Sequence, residues 1–152
     1  YAASRNVCIL IENDFAEVGC CTLGGSIESV DKILNEVRRR SGLNRHVGVC
    51  LDTGHAFITG DLFDYVRHFE NDIRSVHLHD NNGSESPHDL RDRDDLHLIP
   101  GQGRIDWEML FGRLTQDDYR GGLVLEILRS NSKCAAVRGA ATSVTSVITP
   151  WT

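Results

Sequence analysis

The chain has 152 residues, the size of one ordinary domain, and 40% of them are apolar, enough for a core. A formal net charge of −6 gives no general basic footprint for nucleic acid, and the longest apolar runs are strand-sized, too short to cross a bilayer as a helix. The opening Tyr-Ala-Ala-Ser-Arg-Asn leads into no signal-peptide core and no initiator Met is present, so a fragment of a cytoplasmic protein is expected.

Residues 7–11 (Val-Cys-Ile-Leu-Ile) form an apolar, β-branched run that stops abruptly at Glu12-Asn13-Asp14. Residues 19–25 are loop-like, with two glycines at their end. Ser26 then reads as an N-cap, and Ile27, Val30, Ile33, Leu34 and Val37 follow at helical spacing, with Gly42 as the stop. Arg38, Arg39 and Arg40 suit a helix end that favours positive charge better than they suit a phosphate site. Residues 47–51 (Val-Gly-Val-Cys-Leu) have the pattern of a strand covered on both faces. That run ends in Asp52-Thr53-Gly54-His55, which taken alone suits a capped turn as well as a ligand site.

Leu62, Val66 and Phe69 share one helical stripe after a capping Asp61. Residues 74–80 alternate, with Val76, Leu78 and Asp80 on one face and Ser75, His77 and His79 on the other. Residues 81–93 are polar and charged, a functional loop or lid. Asp95, Leu96 and His97 follow, then the turn signal Pro100-Gly101-Gln102-Gly103. A helix starting near Asp106 carries Trp107, Leu110, Phe111 and Leu114. The last strand, residues 123–125, ends in Glu126. From Arg129 to Thr152 the chain is rich in Ser, Thr and Ala without an amphipathic period, so residues 1–128 are read as the domain and 129–152 as an atypical, disordered tail.

The five cysteines are Cys8, Cys20, Cys21, Cys50 and Cys134. Their number is odd, two are adjacent, and no Cys-x-x-Cys spacing occurs, so buried free thiols in a reducing compartment are expected, Cys8 and Cys50 among them.

Four strands alternating with three helices imply parallel strands and right-handed crossovers, with ligands at the strands' carboxyl ends. Those ends are Glu12, Asp52 with His55, His77 with His79, and Glu126. Each has a bland reading: Glu12 near a turn, Glu126 paired with Arg129, His77 as a hydrogen-bonded core residue. Four consecutive strand ends all carrying metal-ligand types favour a shared site. Carboxylates and imidazoles suit Mn2+, Zn2+, Mg2+ or Co2+ rather than copper(I) or iron–sulfur chemistry.

Glu12-Asn13 after an apolar strand, Val49-Cys50-Leu51-Asp52-Thr53-Gly54-His55, Val76-His77-Leu78-His79-Asp80, Pro100 to Trp107, and Leu123-Val124-Leu125-Glu126 occur in this order. Together they resemble the second half of the xylose isomerase-like TIM-barrel superfamily, which holds sugar-phosphate isomerases and epimerases and also endonuclease IV. The resemblance covers about residues 7–127. It implies an α/β fold containing strands five to eight of a (β/α)8 barrel, and a metal held by Glu12, Asp52, His77 and Glu126. It implies substrate contact or a second metal for His55, and a further metal for Asp95 and His97 in the endonuclease branch. The family's final helix is not recognisable after Glu126.

The chemistry so implied is isomerisation or epimerisation of a small sugar or sugar phosphate, by proton transfer next to a carbonyl through an enediolate. Glu12 and Glu126 are the expected catalytic carboxylates, with His55 holding a substrate oxygen. The expected partner is a small sugar; nucleic acid and membrane are disfavoured, and a homo-oligomer is compatible. The first rival is an abasic-site endonuclease, against which the acidic charge counts. The second is an inactive fragment, since half a barrel leaves two open sheet edges.

Overall fold

A computed structural model describes residues 2–15, 22–42, 44–86, 90–91 and 94–127. The expected tail, Cys20, Cys21, Cys134 and part of the polar loop lie outside them. The elements are β1 (Ile9–Glu12), α1 (Ile27–Ser41), β2 (Val47–Asp52), α2 (Thr53–Ile58), α3 (Leu62–His68), β3 (Ile73–Leu78), α4 (Trp107–Gln116) and β4 (Gly122–Leu125). The strands form one parallel sheet in the order β1-β2-β3-β4. This is the α/β alternation that the apolar periodicities predict.

Local chemistry sets the helix starts. Ser26 and Ser29 form a reciprocal capping box at α1, and Gly42 ends it in the left-handed region at φ 65°. Asp106 caps α4 by accepting the Met109 N–H at 2.9 Å. Asp61 holds the N-cap position of α3, but its side chain makes no capping hydrogen bond. The charge run at the end of α1 is not simply solvated: Arg38 pairs with Asp72 before β3, and Arg39 and Arg40 with Glu36.

One helix was not expected. Asp52, the last residue of β2, is also the N-cap of α2 and accepts the His55 N–H at 2.8 Å. A strand end and a helix start therefore share one carboxylate, and Thr53 to Ile58 is helix rather than loop.

The core lies between the sheet and its helices. Val30 and Leu34 of α1, Tyr65 and Val66 of α3, Leu110 and Phe111 of α4 pack on Val49, Leu51, Val76 and Leu78. Truncating Leu34, which is 1% exposed, to Ala costs about 2–5 kcal/mol on the usual scale. Every residue of β2 is buried, whereas every residue of β4 is exposed. Of the two central strands β2 is sealed and β3 only partly so, and the outer two are open edges. Cys50 is buried, but Cys8 is exposed, contrary to expectation, because it precedes β1 on an open edge. Among the described residues no helix is long and apolar enough to cross a membrane.

Candidate metal centre

The parallel register carries the strand ends to one place. Asp52 pairs with His77 across β2 and β3, and Glu12 lies opposite Cys50 on β1 and β2. The Glu126 N–H continues the ladder past β4, donating to the Leu78 carbonyl at 3.1 Å. As a result, Glu12, Asp52, His77 and Glu126 each offer one ligand atom within 4.8 Å of the others. His77 Nδ1 sits 2.9 Å from both Glu12 Oε1 and Glu126 Oε2.

This set fits a divalent ion. Asp52 is fully buried, yet its Oδ2 has no hydrogen-bond partner. A buried carboxylate oxygen without a donor is costly unless a cation faces it. Partial burial raises the Glu12 pKa; His77 opposes this, and the charges of Asp52 and Glu126 add to it. Three carboxylates so close together need positive charge among them. Cys50 is also within ligand range of Glu12 and His77, but burial, with Glu12 adding, pushes its thiol up to about 12. It stays neutral, leaving oxygen and nitrogen donors as the ionic set.

Asn13, part of the Glu12-Asn13 motif but given no role from sequence, fixes this end of the sheet. Its amide donates to the Asp52 carbonyl at 3.0 Å and accepts the Asp52 N–H at 2.8 Å, extending the β1–β2 ladder by a side chain.

A second cluster lies beside the first. His55, His79, Asp95 and His97 also bring one ligand atom each within 4.8 Å of one another. His55, Asp95 and His97 belong to the expected second-metal set; His79 was expected beside His77 at the end of its strand but in neither ligand set. Period-two alternation pairs His79 with His77, but β3 ends at Leu78 and the two histidines enter different clusters. Burial lowers the His55 pKa, but Asp95 and Asp52 outweigh it and push it up to about 9. Asp95 is held below the usual carboxylate range despite its burial, because His55, His97 and His79 surround it.

Asp80 places the second cluster. It was expected on the apolar face of β3 and is fully buried. Its carboxylate accepts four hydrogen bonds: from Asn81 N–H at 2.9 Å, Gly101 N–H at 2.8 Å, Ile105 N–H at 3.1 Å and Trp107 Nε1 at 2.9 Å. Its backbone pairs with Leu98 in both directions. The turn signal at residues 100–103 is thus wrapped on a buried carboxylate, which fixes the segment bearing Asp95 and His97.

Comparison with known proteins agrees with this architecture. A family model for the xylose isomerase-like TIM barrel matches residues 1–146. An uncharacterized protein of Methanocaldococcus jannaschii is 30% identical over 107 residues, covering 68% of this chain and 32% of that protein. An uncharacterized protein of Sinorhizobium fredii is 37% identical over 82 residues, covering 53% of this chain and 23% of that protein. A D-tagatose 3-epimerase-like protein superposes with a TM-score of 0.73 at 25% identity, over 99% of this chain and 52% of that one. The IOLI protein, crystallised with a zinc atom, gives 0.76 at 22% identity over the same shares. The chain thus spans a third or less of these curated relatives and about half of these solved structures. A four-stranded parallel sheet with intervening helices is consistent with part of such a barrel, and the chain belongs to the xylose isomerase-like TIM-barrel family.

Proposed function

We propose that this chain supplies strands five to eight of a barrel that isomerises or epimerises a small sugar or sugar phosphate, with a divalent ion held by Glu12, Asp52, His77 and Glu126. We take residues 1–128 as that half-barrel. The observation that carries the reading is the bracket of His77 by Glu12 and Glu126, one carboxylate oxygen of each 2.9 Å from Nδ1. The likeness to an epimerase-like structure supports the same class.

When bound, a divalent ion supplies Lewis-acid polarisation of a substrate carbonyl. The chain's own residues move the proton. Glu12 Oε1 and Glu126 Oε2 are turned to His77, which leaves Glu12 Oε2 and Glu126 Oε1 as the working oxygens. One takes the proton from carbon and the other returns it, through an enediolate. His55, expected on a substrate oxygen, has Nδ1 3.3 Å from the Asn13 carbonyl and Nε2 3.3 Å from Asp95 Oδ2. We place it with Asp95 and His97 at a second ion. The cysteine pattern supports a cytoplasmic location.

The test is turnover of small sugars in deuterated solvent. The full-length protein incorporates deuterium at the carbon beside the carbonyl, and Glu126→Gln lowers the rate by about 10²–10⁴-fold. Turnover without incorporation defeats the proposal. The second cluster also favours a rival, a multi-ion phosphodiesterase acting at abasic DNA sites, and incision of an abasic duplex by the same preparation decides for it. The charge of −6 counts against that rival.

A further inference from the structure

His79 touches both clusters, and the surrounding structure allows its ring one position. The side chain is fully buried. Thr53 Oγ1 accepts the His79 N–H at 3.2 Å and lies 2.9 Å from the His79 carbonyl. The ring stacks on His97 with centroids 3.8 Å apart and 4° between planes. On another side it lies against Gly54, where a β-carbon would overlap the ring atoms.

In that position the two nitrogens have different partners. Nε2 lies 2.7 Å from Asp52 Oδ1, a carboxylate oxygen that accepts, so Nε2 carries the hydrogen and donates. Oδ1 also takes the His55 backbone N–H, and Oδ2 is the oxygen left without a partner. Nδ1 is then a bare lone pair. It is buried, has no hydrogen-bond partner, and lies 4.0 Å from Asp95 Oδ1, which is likewise buried and unpartnered. Two buried acceptors facing each other need a cation between them.

The neighbouring imidazoles have the same polarity. His55 Nδ1 is 3.3 Å from the Asn13 carbonyl, and its Nε2 is turned to Asp95. His97 Nδ1 is 3.0 Å from the Glu126 carbonyl, and its Nε2 is 2.8 Å from Asp95 Oδ2. A carbonyl only accepts, so each outer nitrogen carries a hydrogen; each inner nitrogen faces the Asp95 carboxylate, to which it donates in the ion-free chain and beside which it offers its lone pair once an ion displaces that proton. Histidines that ligate metals are commonly held in this way, with the outer N–H bonded to a carbonyl or carboxylate.

We propose that His79 links two ion sites, holding Asp52 for the first through Nε2–H and ligating in the second through Nδ1, beside His55, Asp95 and His97. For the first site it is a positioning residue; for the second it is the fourth donor. This rests on the ion reading of the proposed function and adds a residue and a division of labour to it.

Two variants separate the roles. His79→Gln keeps an N–H donor in reach of Asp52 but has no imidazole Nδ1, whereas His79→Leu removes both. Calorimetric titration of the metal-free full chain with Zn2+ gives two ions per chain. The site abolished by Asp95→Asn is the second, and the site abolished by Glu126→Gln is the first. His79→Gln weakens the second site by at least 10-fold and leaves the first within about 3-fold, whereas His79→Leu weakens both by about 10–100-fold. Nitrogen NMR of ¹⁵N-histidine in the unsubstituted chain gives a readout independent of any variant. It shows hydrogen on His79 Nε2, and a shift of His79 Nδ1 on adding Zn2+. An Nδ1–H tautomer, or two ions bound with unchanged affinity in both variants, overturns the inference and leaves the proposed function standing. No ion bound to the unsubstituted chain overturns both.

Discussion

The two clusters lie side by side but are built differently. Glu12, Asp52, His77 and Glu126 come from the ends of four strands, and backbone register alone brings them together. His55, His79, Asp95 and His97 come from a helix, the turn after β3, and a loop, and side-chain hydrogen bonds hold them. Exposure follows the same division. Side chains of Glu12 and Glu126 are 43% and 45% exposed, because they sit on the two open edge strands. Asp95 and His97 are 14% and 16% exposed, and His79 is completely buried. Register thus assembles a site across an open sheet, whereas the second cluster needs the packed interior. Asp52 is the point of contact, ligand candidate on one side and partner of His79 and α2 on the other.

That contact point makes the strongest test. Asp52→Ala removes a proposed ligand, the α2 cap and the partner of His79 at once. The lost cap, which frees the His55 N–H, and the His79 Nε2–H left unpaired destabilise the fold by about 3 kcal/mol, read as a lowered denaturation midpoint. Both ion sites weaken together; loss of only one would show that the clusters are independent. Gly54→Ala is the narrower cut. The added β-carbon overlaps His79 and displaces its ring, costing about 1–3 kcal/mol by overpacking and weakening the second site more than the first. Equal weakening of both in a titration would contradict the division drawn here. The smallest effect is in pH. In the ion-free chain the pKa of His55 rises from 6.5 to about 9, a shift that stabilises the fold. That contribution is fully present below about pH 6.5 and is lost as pH rises through about 9. His55→Gln flattens this part of the stability profile, and an unchanged slope would show that His55 does not face Asp95 as described.

What was legible in the sequence has a local cause. The apolar runs, Ser26 and Asp106 as caps, Gly42 as a stop, and carboxylates at strand ends all follow from periodicity and capping chemistry, which act over a few residues. The grouping of Glu12, Asp52, His77 and Glu126 was legible too, because parallel strands joined by crossovers must end on one side of the sheet. The α2 helix was hidden because Asp52 serves as strand end and N-cap together.

Alternation is a property of residues inside a ladder. It held to Leu78 and failed at His79, because the chain there leaves β4 and pairs through Asp80 with Leu98 instead. The sequence alone therefore determined the fold class and the four strand-end ligand types. Tertiary structure alone decided the place of His79, the four donors on Asp80 and the exposure of the edge strands. Those depend on which segments meet across 25–40 residues of chain, a separation over which local patterning carries no signal.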